Sequence, residues 1–125
     1  MTYLNYLSTK FNAANKGLFY IVTQDKNILL HLIISFFTIL VSVYLKLSSF
    51  EWMFVLSAIF LVIFSEIVNS VVELICDFIE QKQNSKIALI KDIMAGAVLF
   101  ISFYALIVGL VIFYPKLISL MEVTK

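Results

Sequence analysis

The chain has 125 residues, of which 62% are hydrophobic and only 14% charged, with a mean hydropathy of +1.04. Soluble domains carry about a quarter charged residues, so this composition excludes a freely soluble fold and predicts an all-α integral membrane protein. The net charge is +1 and all nine cations are lysines. That leaves neither a basic surface nor an arginine fork for phosphate, and no nucleic acid partner is expected. The single cysteine, Cys76, has no second thiol for a disulfide or a metal cluster and reads as a small buried thiol.

No basic segment followed by an apolar run and a small-residue cleavage site opens the chain, so no signal peptide is expected. Residues 4–22 come first. Leu4, Leu7, Phe11, Ala14, Leu18 and Ile21 recur at alternating steps of three and four, with Asn, Thr and Lys residues between them. The spacing predicts an amphipathic helix, too polar to span and suited to the membrane interface, with a packing helix as the alternative. Three apolar segments follow, at about 28–46, 52–79 and 93–114. Each is near or above the ~20 residues that cross a hydrocarbon core of about 30 Å, which predicts three transmembrane helices. The whole of 1–125 reads as a single membrane domain.

Lysines set the orientation. Lys10, Lys16 and Lys26 precede the first span and Lys82, Lys86 and Lys91 lie between the second and third, whereas Lys46 alone occupies the first loop. The positive-inside rule then places the N-terminus and the second loop in the cytoplasm. Trp52 with Tyr44, and Tyr114 before Pro115 and Lys116, suit the outer ends of their spans.

The second span carries Glu66, Asn69, Glu73 and Asp77, separated by three, four and four residues, on one helical face. Carboxylates at membrane depth cost a few kcal/mol or more, so such a stripe faces a bundle interior or a cavity. Asp77 falls near the cytoplasmic end and Glu66 about 16 Å deeper at about 1.5 Å rise per residue. Asp25 and Asn27 at the start of the first span, and Lys91 and Asp92 at the start of the third, fall at the same level as Asp77. Acids able to hold Mg²⁺, a lysine able to meet a phosphate and a deeper carboxylate able to take a hydroxyl proton are what phosphoryl transfer requires. From spacing alone three readings stay open: catalysis, a small proton-coupled transporter using Glu66, and structural glue with a solvated loop. No glycine-rich phosphate loop is present; the glycines are Gly17, Gly96 and Gly109. Gly96 between Ala95 and Ala97 marks close helix packing, and His31 reads as hydrogen-bonding glue.

The string EIVNSVVELICDFIEQKQNSKIALIKDIMAGAV at 66–98 resembles the signature of the prokaryotic membrane diacylglycerol kinase family, an E-x-x-N-[TS]-x-x-E-x-x-x-D helix followed by a loop and a K-D-x-x-A-G-A-V helix start. The resemblance extends to KGL at 16–18, D-K-N-x-x-x-H at 25–31, SSFEWM at 48–53 and VGLVIFYPKL at 108–117. It covers nearly the whole chain.

The resemblance implies a homotrimeric lipid kinase of the bacterial inner (cytoplasmic) membrane, with an interfacial helix and three transmembrane helices per subunit and active sites between subunits. Such an enzyme transfers the γ-phosphoryl of Mg-ATP to a lipid alcohol. Carried onto matching positions, Glu66 resembles the general base and Asn69 its polar partner. Glu73 resembles a metal ligand, and Asp77, Lys91 and Asp92 resemble the nucleotide-binding set. Asp25 stands where the family usually has a second metal-ligating glutamate, shorter by one methylene. Leu29 replaces a frequent arginine, and Asn84 is the nearest counterpart of a frequent loop histidine. The start of span one, the EWM segment and the GLVIFYPKL ending look more like the branch that phosphorylates undecaprenol than the branch that phosphorylates diacylglycerol.

Overall fold

The computed structural model describes residues 2–123. They form four helices in chain order: α1 (Tyr3–Gln24), α2 (Lys26–Tyr44), α3 (Ser49–Ile79) and α4 (Ser85–Val123). The last three are each long and apolar enough to cross a membrane.

A single residue separates α1 from α2. Asp25 is extended (φ −102°, ψ 114°), and its Oδ1 accepts from the backbone N–H of Asn27 (2.8 Å) and Ile28 (3.3 Å). An aspartate N-cap satisfies two orphan donors of the new helix, so the corner needs no longer linker. The expected gap between residues 22 and 28 closes for this reason. Within the single chain α1 touches α2 and buries only Ile21, and its stripe residues Leu4, Phe11 and Leu18 stay exposed.

The turn from α2 into α3 is equally short. Lys46 adopts a left-handed conformation (φ 52°), with its N–H donating to Val43 O (3.1 Å) and the Leu47 N–H to Ser42 O (3.2 Å). These are the two bonds of a Schellman ending, here with lysine where glycine is usual. Ser48 then opens α3 with a capping box: Glu51 N–H donates to Ser48 Oγ (3.2 Å), and Ser48 N–H donates to Glu51 Oε2 (2.7 Å).

α3 is the central helix. Val55, Ala58, Val62, Ser65, Glu66, Ser70 and Cys76 are buried along it, at the three-and-four spacing that faces neighbouring helices. α4 runs antiparallel to it. Lys116 pairs with Glu51 (3.2 Å) at one end, Ser57 and Tyr104 share a hydrogen bond (3.1 Å) midway, and Lys91 meets Asp77 (2.5 Å) at the other end. Leu47, Val55, Ala58, Val108 and Ile112 form an apolar core in the half that contains the α2–α3 turn.

α4 differs from the expected third span at both ends. It begins at Ser85 because Asn84 acts as its cap, accepting from Lys86 N–H through the side chain (2.9 Å) and from Ala88 N–H through its carbonyl (2.9 Å). Lys91 and Asp92 therefore lie nearly two turns inside the helix. It also continues through Pro115 to Val123. Proline there removes one donor, and the Lys116 to Glu51 pair at the next residue ties the helix to α3.

Candidate active site

The half of the bundle opposite the apolar core holds a cluster of acids, amides and a lysine, and α3 supplies most of them. Its face at Glu66, Ser70, Glu73 and Asp77 starts inside the packed helices and ends outside: Glu66 and Ser70 are buried, Glu73 and Asp77 exposed. Glu66 is only 6% exposed, whereas the Asp77 side chain is 68% exposed.

Deepest is Glu66, whose Oε1 lies 3.2 Å from Nε2 of His31 on α2. One turn on, the Ser70 hydroxyl lies within bonding reach of Asp25 Oδ2 and of the Glu66 carbonyl (3.0 Å). Asp25 thus joins three elements, capping α2, ending α1 and bonding α3. Partial burial pushes its carboxyl toward the neutral form, but the Ser70 hydroxyl and the Asn27 and Ile28 amides outweigh that and hold its pKa below the ordinary aspartate value.

A polar cavity of about 350 Å³ opens above this layer, walled by α1, α2 and α3. Asp25, Asn27, Ser70, Glu73 and Asp77 face it. Glu73 Oε1 accepts from the Asn69 side-chain amide (3.3 Å), and Glu73 lines the cavity. Asp77 also borders a second cavity of about 690 Å³ under the 80–85 loop, lined by Lys82, Asn84 and Lys91 among others. Lys91 reaches Asp77 across the α3–α4 contact.

The structure therefore brings together Asp25, Glu73, Asp77 and Lys91, with Asn69 directed at Glu73 rather than at Glu66. Asp92 is exposed and lines neither cavity. Sequence reasoning passed over two contacts. Ser70 fills the [TS] position of the motif and sits four residues after Glu66 on the same face, which was the available signal. His31 follows Asp25 by six residues, and nothing in the local pattern ties it to a carboxylate 35 positions away.

Mg²⁺ characteristically takes one or two carboxylates and completes its shell with water and substrate phosphates. The donor set fits that demand. Among the described residues no three His, Cys, Asp or Glu side chains converge as a complete protein cage. Glu73 keeps one unbonded carboxylate oxygen, and Asp25 has Oδ2, now held by Ser70.

Three membrane-crossing helices that gather acids, an amide and a lysine at one end, over a buried carboxylate, have the make-up of a membrane-embedded phosphotransferase. The family model for prokaryotic diacylglycerol kinase matches residues 12–113, and the chain belongs to that family. The undecaprenol kinase of Bacillus subtilis (strain 168) is 29% identical over 114 residues, covering 91% of this chain and 93% of that protein. The chain is accordingly a membrane lipid kinase, an enzyme that moves a phosphoryl group from ATP to an alcohol acceptor. That membership does not favour the transporter reading of Glu66.

Proposed function

We propose that this kinase phosphorylates undecaprenol, with diacylglycerol as the competing acceptor, using Mg-ATP from the cytoplasmic side of the inner membrane. The observation that carries the reading is the depth order on α3: a buried carboxylate at Glu66 beneath an open polar cavity lined by Glu73 and Asp77. A lipid hydroxyl entering from the membrane meets Glu66 first, and a nucleotide entering from water meets the cavity. The similarity to an undecaprenol kinase supports the choice of acceptor.

In this mechanism the lipid hydroxyl oxygen attacks the γ-phosphorus as its proton passes to the Glu66 carboxylate. The bond from the γ-phosphorus to the β,γ-bridging oxygen breaks and ADP leaves. Glu73 and Asp25 would hold the Mg²⁺. The ion supplies neutralisation of the phosphate charge. Asp77 and Lys91, which border the larger polar cavity, form the nucleotide-binding set, to which the family resemblance adds Asp92. Lys91, poised on Asp77, exchanges that partner for a phosphate oxygen, a charge-assisted contact of the same kind. Asn69 orients Glu73. An apolar cleft of about 460 Å³ between α2, α3 and α4 gives a lipid chain room, and His31, which lines it, is the residue that touches Glu66.

The positions of the lysines support a cytoplasmic N-terminus and second loop. We place α1 flat in the inner interface, where its exposed Leu4, Phe11 and Leu18 meet lipid. The polar cavity has no wall from α4. A neighbouring subunit of a homotrimer would complete it.

The test is transfer of labelled γ-phosphate from ATP to undecaprenol and to diacylglycerol, offered side by side to the purified protein in mixed micelles. Faster labelling of undecaprenol is expected. Preference for diacylglycerol would overturn the acceptor assignment, and labelling of neither would overturn the lipid-kinase mechanism.

A further inference from the structure

The Glu66 carboxylate has two oxygens and a side chain of three rotatable bonds, so a base at this position needs something to aim it. The candidates are few. Ser70, one turn along α3, has a single proton, and its neighbours are Asp25 Oδ2 and the Glu66 carbonyl, not the Glu66 carboxylate, while the Ser65 hydroxyl donates to Val62 O. Asn69 donates to Glu73. Among the described residues lining the apolar cleft, only His31 carries an ionisable side chain; Ser35 and Thr38 donate to carbonyls of their own helix. What reaches Glu66 is His31 Nε2, at 3.2 Å from Oε1.

From this we infer that His31 is a positioning residue for the phosphoryl transfer: it holds one oxygen of Glu66 across the α2–α3 contact and leaves the other aimed at the lipid hydroxyl. The inference rests on the reading of Glu66 as the base. A carboxylate acting as a base only accepts hydrogen bonds, so in the working enzyme His31 Nε2 is the donor of this contact. Oε1 is then occupied by the imidazole N–H, and Oε2 is the oxygen free to take the hydroxyl proton. His31 sits on α2 and Glu66 on α3, so the pair also locks the base to the helix that carries the Asp25 corner. A base displaced by about 1 Å from its working position loses on the order of 10² in rate, which sets the scale of what this contact protects.

The experiment compares His31→Leu, which keeps the bulk and removes the donor, with His31→Gln, which keeps an N–H donor at similar reach. Each is measured by steady-state transfer from ATP to undecaprenol in mixed micelles, with thermal unfolding as a control. For His31→Leu, kcat is expected to fall about 10- to 100-fold while KM for Mg-ATP stays within about twofold, because the nucleotide groups lie outside this contact. His31→Gln is expected to recover most of that loss. Placed on Glu66→Gln, His31→Leu is expected to add almost nothing, since residues that act as one unit are not additive. Should His31→Leu unfold, His31→Asn, one methylene too short to reach Glu66, takes its place in the comparison with His31→Gln.

Equal losses in the Gln and Leu variants, a loss carried by KM, or a fully additive loss on Glu66→Gln would each overturn the positioning role while leaving Glu66 as the base. Wild-type turnover in Glu66→Gln alone would instead remove the base, and the role of His31 with it.

Discussion

Replacing Glu66 by glutamine isolates the proton transfer from the fold. The amide is nearly isosteric with the carboxylate, and its carbonyl oxygen accepts from His31 Nε2 in place of Oε1, so the α2–α3 contact at 3.2 Å survives. Burial also favours the change, because a neutral amide costs less to desolvate than an ionised carboxylate at a position 6% exposed. Thermal stability in detergent is therefore expected to hold or rise. What the variant cannot do is accept the hydroxyl proton, and a positioned base is worth about 10²- to 10⁴-fold in rate. At about 1.36 kcal/mol per factor of ten, even the smaller figure is a barrier increase of about 2.7 kcal/mol. The assay is single-turnover transfer of labelled γ-phosphate to the lipid alcohol, so that product release does not mask the chemical step. A variant that is stably folded and turns over at the wild-type rate would refute the base assignment.

Other consequences follow from the same geometry. Glu73→Ala removes the carboxylate that faces the polar cavity, and a Mg²⁺ titration of activity should show a raised half-saturating concentration; an unchanged titration would reassign that residue. Asp25 has a folded-state pKa below its ordinary value, so its contribution is fully present above the unfolded value of about 3.9 and is lost as the pH falls through the lower folded one. Unfolding scans should accordingly show wild type losing stability below about pH 4, with Asp25→Asn, already lacking that contribution, less sensitive to acid there. An equal acid response in both proteins would contradict the bonding at the α1–α2 corner. Ser48→Ala deletes one bond of the capping box at the start of α3 and is expected to cost about 1 kcal/mol in denaturation, with little change in kcat because it lies at the far end of the bundle.

The three long helices were legible because apolar runs of that length have few other fates. The α3 stripe was legible because a helix puts positions three and four apart on one side. Helix ends were less so. Hydropathy placed the third span at 93–114, but caps and ion pairs decide where a helix stops, and Asn84 and the Lys116 to Glu51 pair extend α4 past both limits. The S-x-x-E capping box at Ser48 was readable in principle. The Asp25 to Ser70 and His31 to Glu66 contacts bridge α2 and α3, and no one-dimensional spacing encodes which residues meet across two helices. The acids that face the polar cavity, Asp25, Glu73 and Asp77, stand at spacings readable in the sequence, Asp92 does not join them, and the Ser70 and His31 contacts needed the packing.

The central claim is that ATP meets the lipid hydroxyl at the end of the bundle that carries Asp25, Glu73, Asp77 and Lys91. The most direct measurement uses sealed vesicles in which the orientation of the 80–84 loop is fixed by an impermeant label on a cysteine placed at Gln83, with Cys76→Ser as background. Labelled ATP is then supplied to one face only. Phosphorylated lipid should form when ATP and the labelled loop share a side, and transfer when ATP is confined to the opposite face would contradict the account.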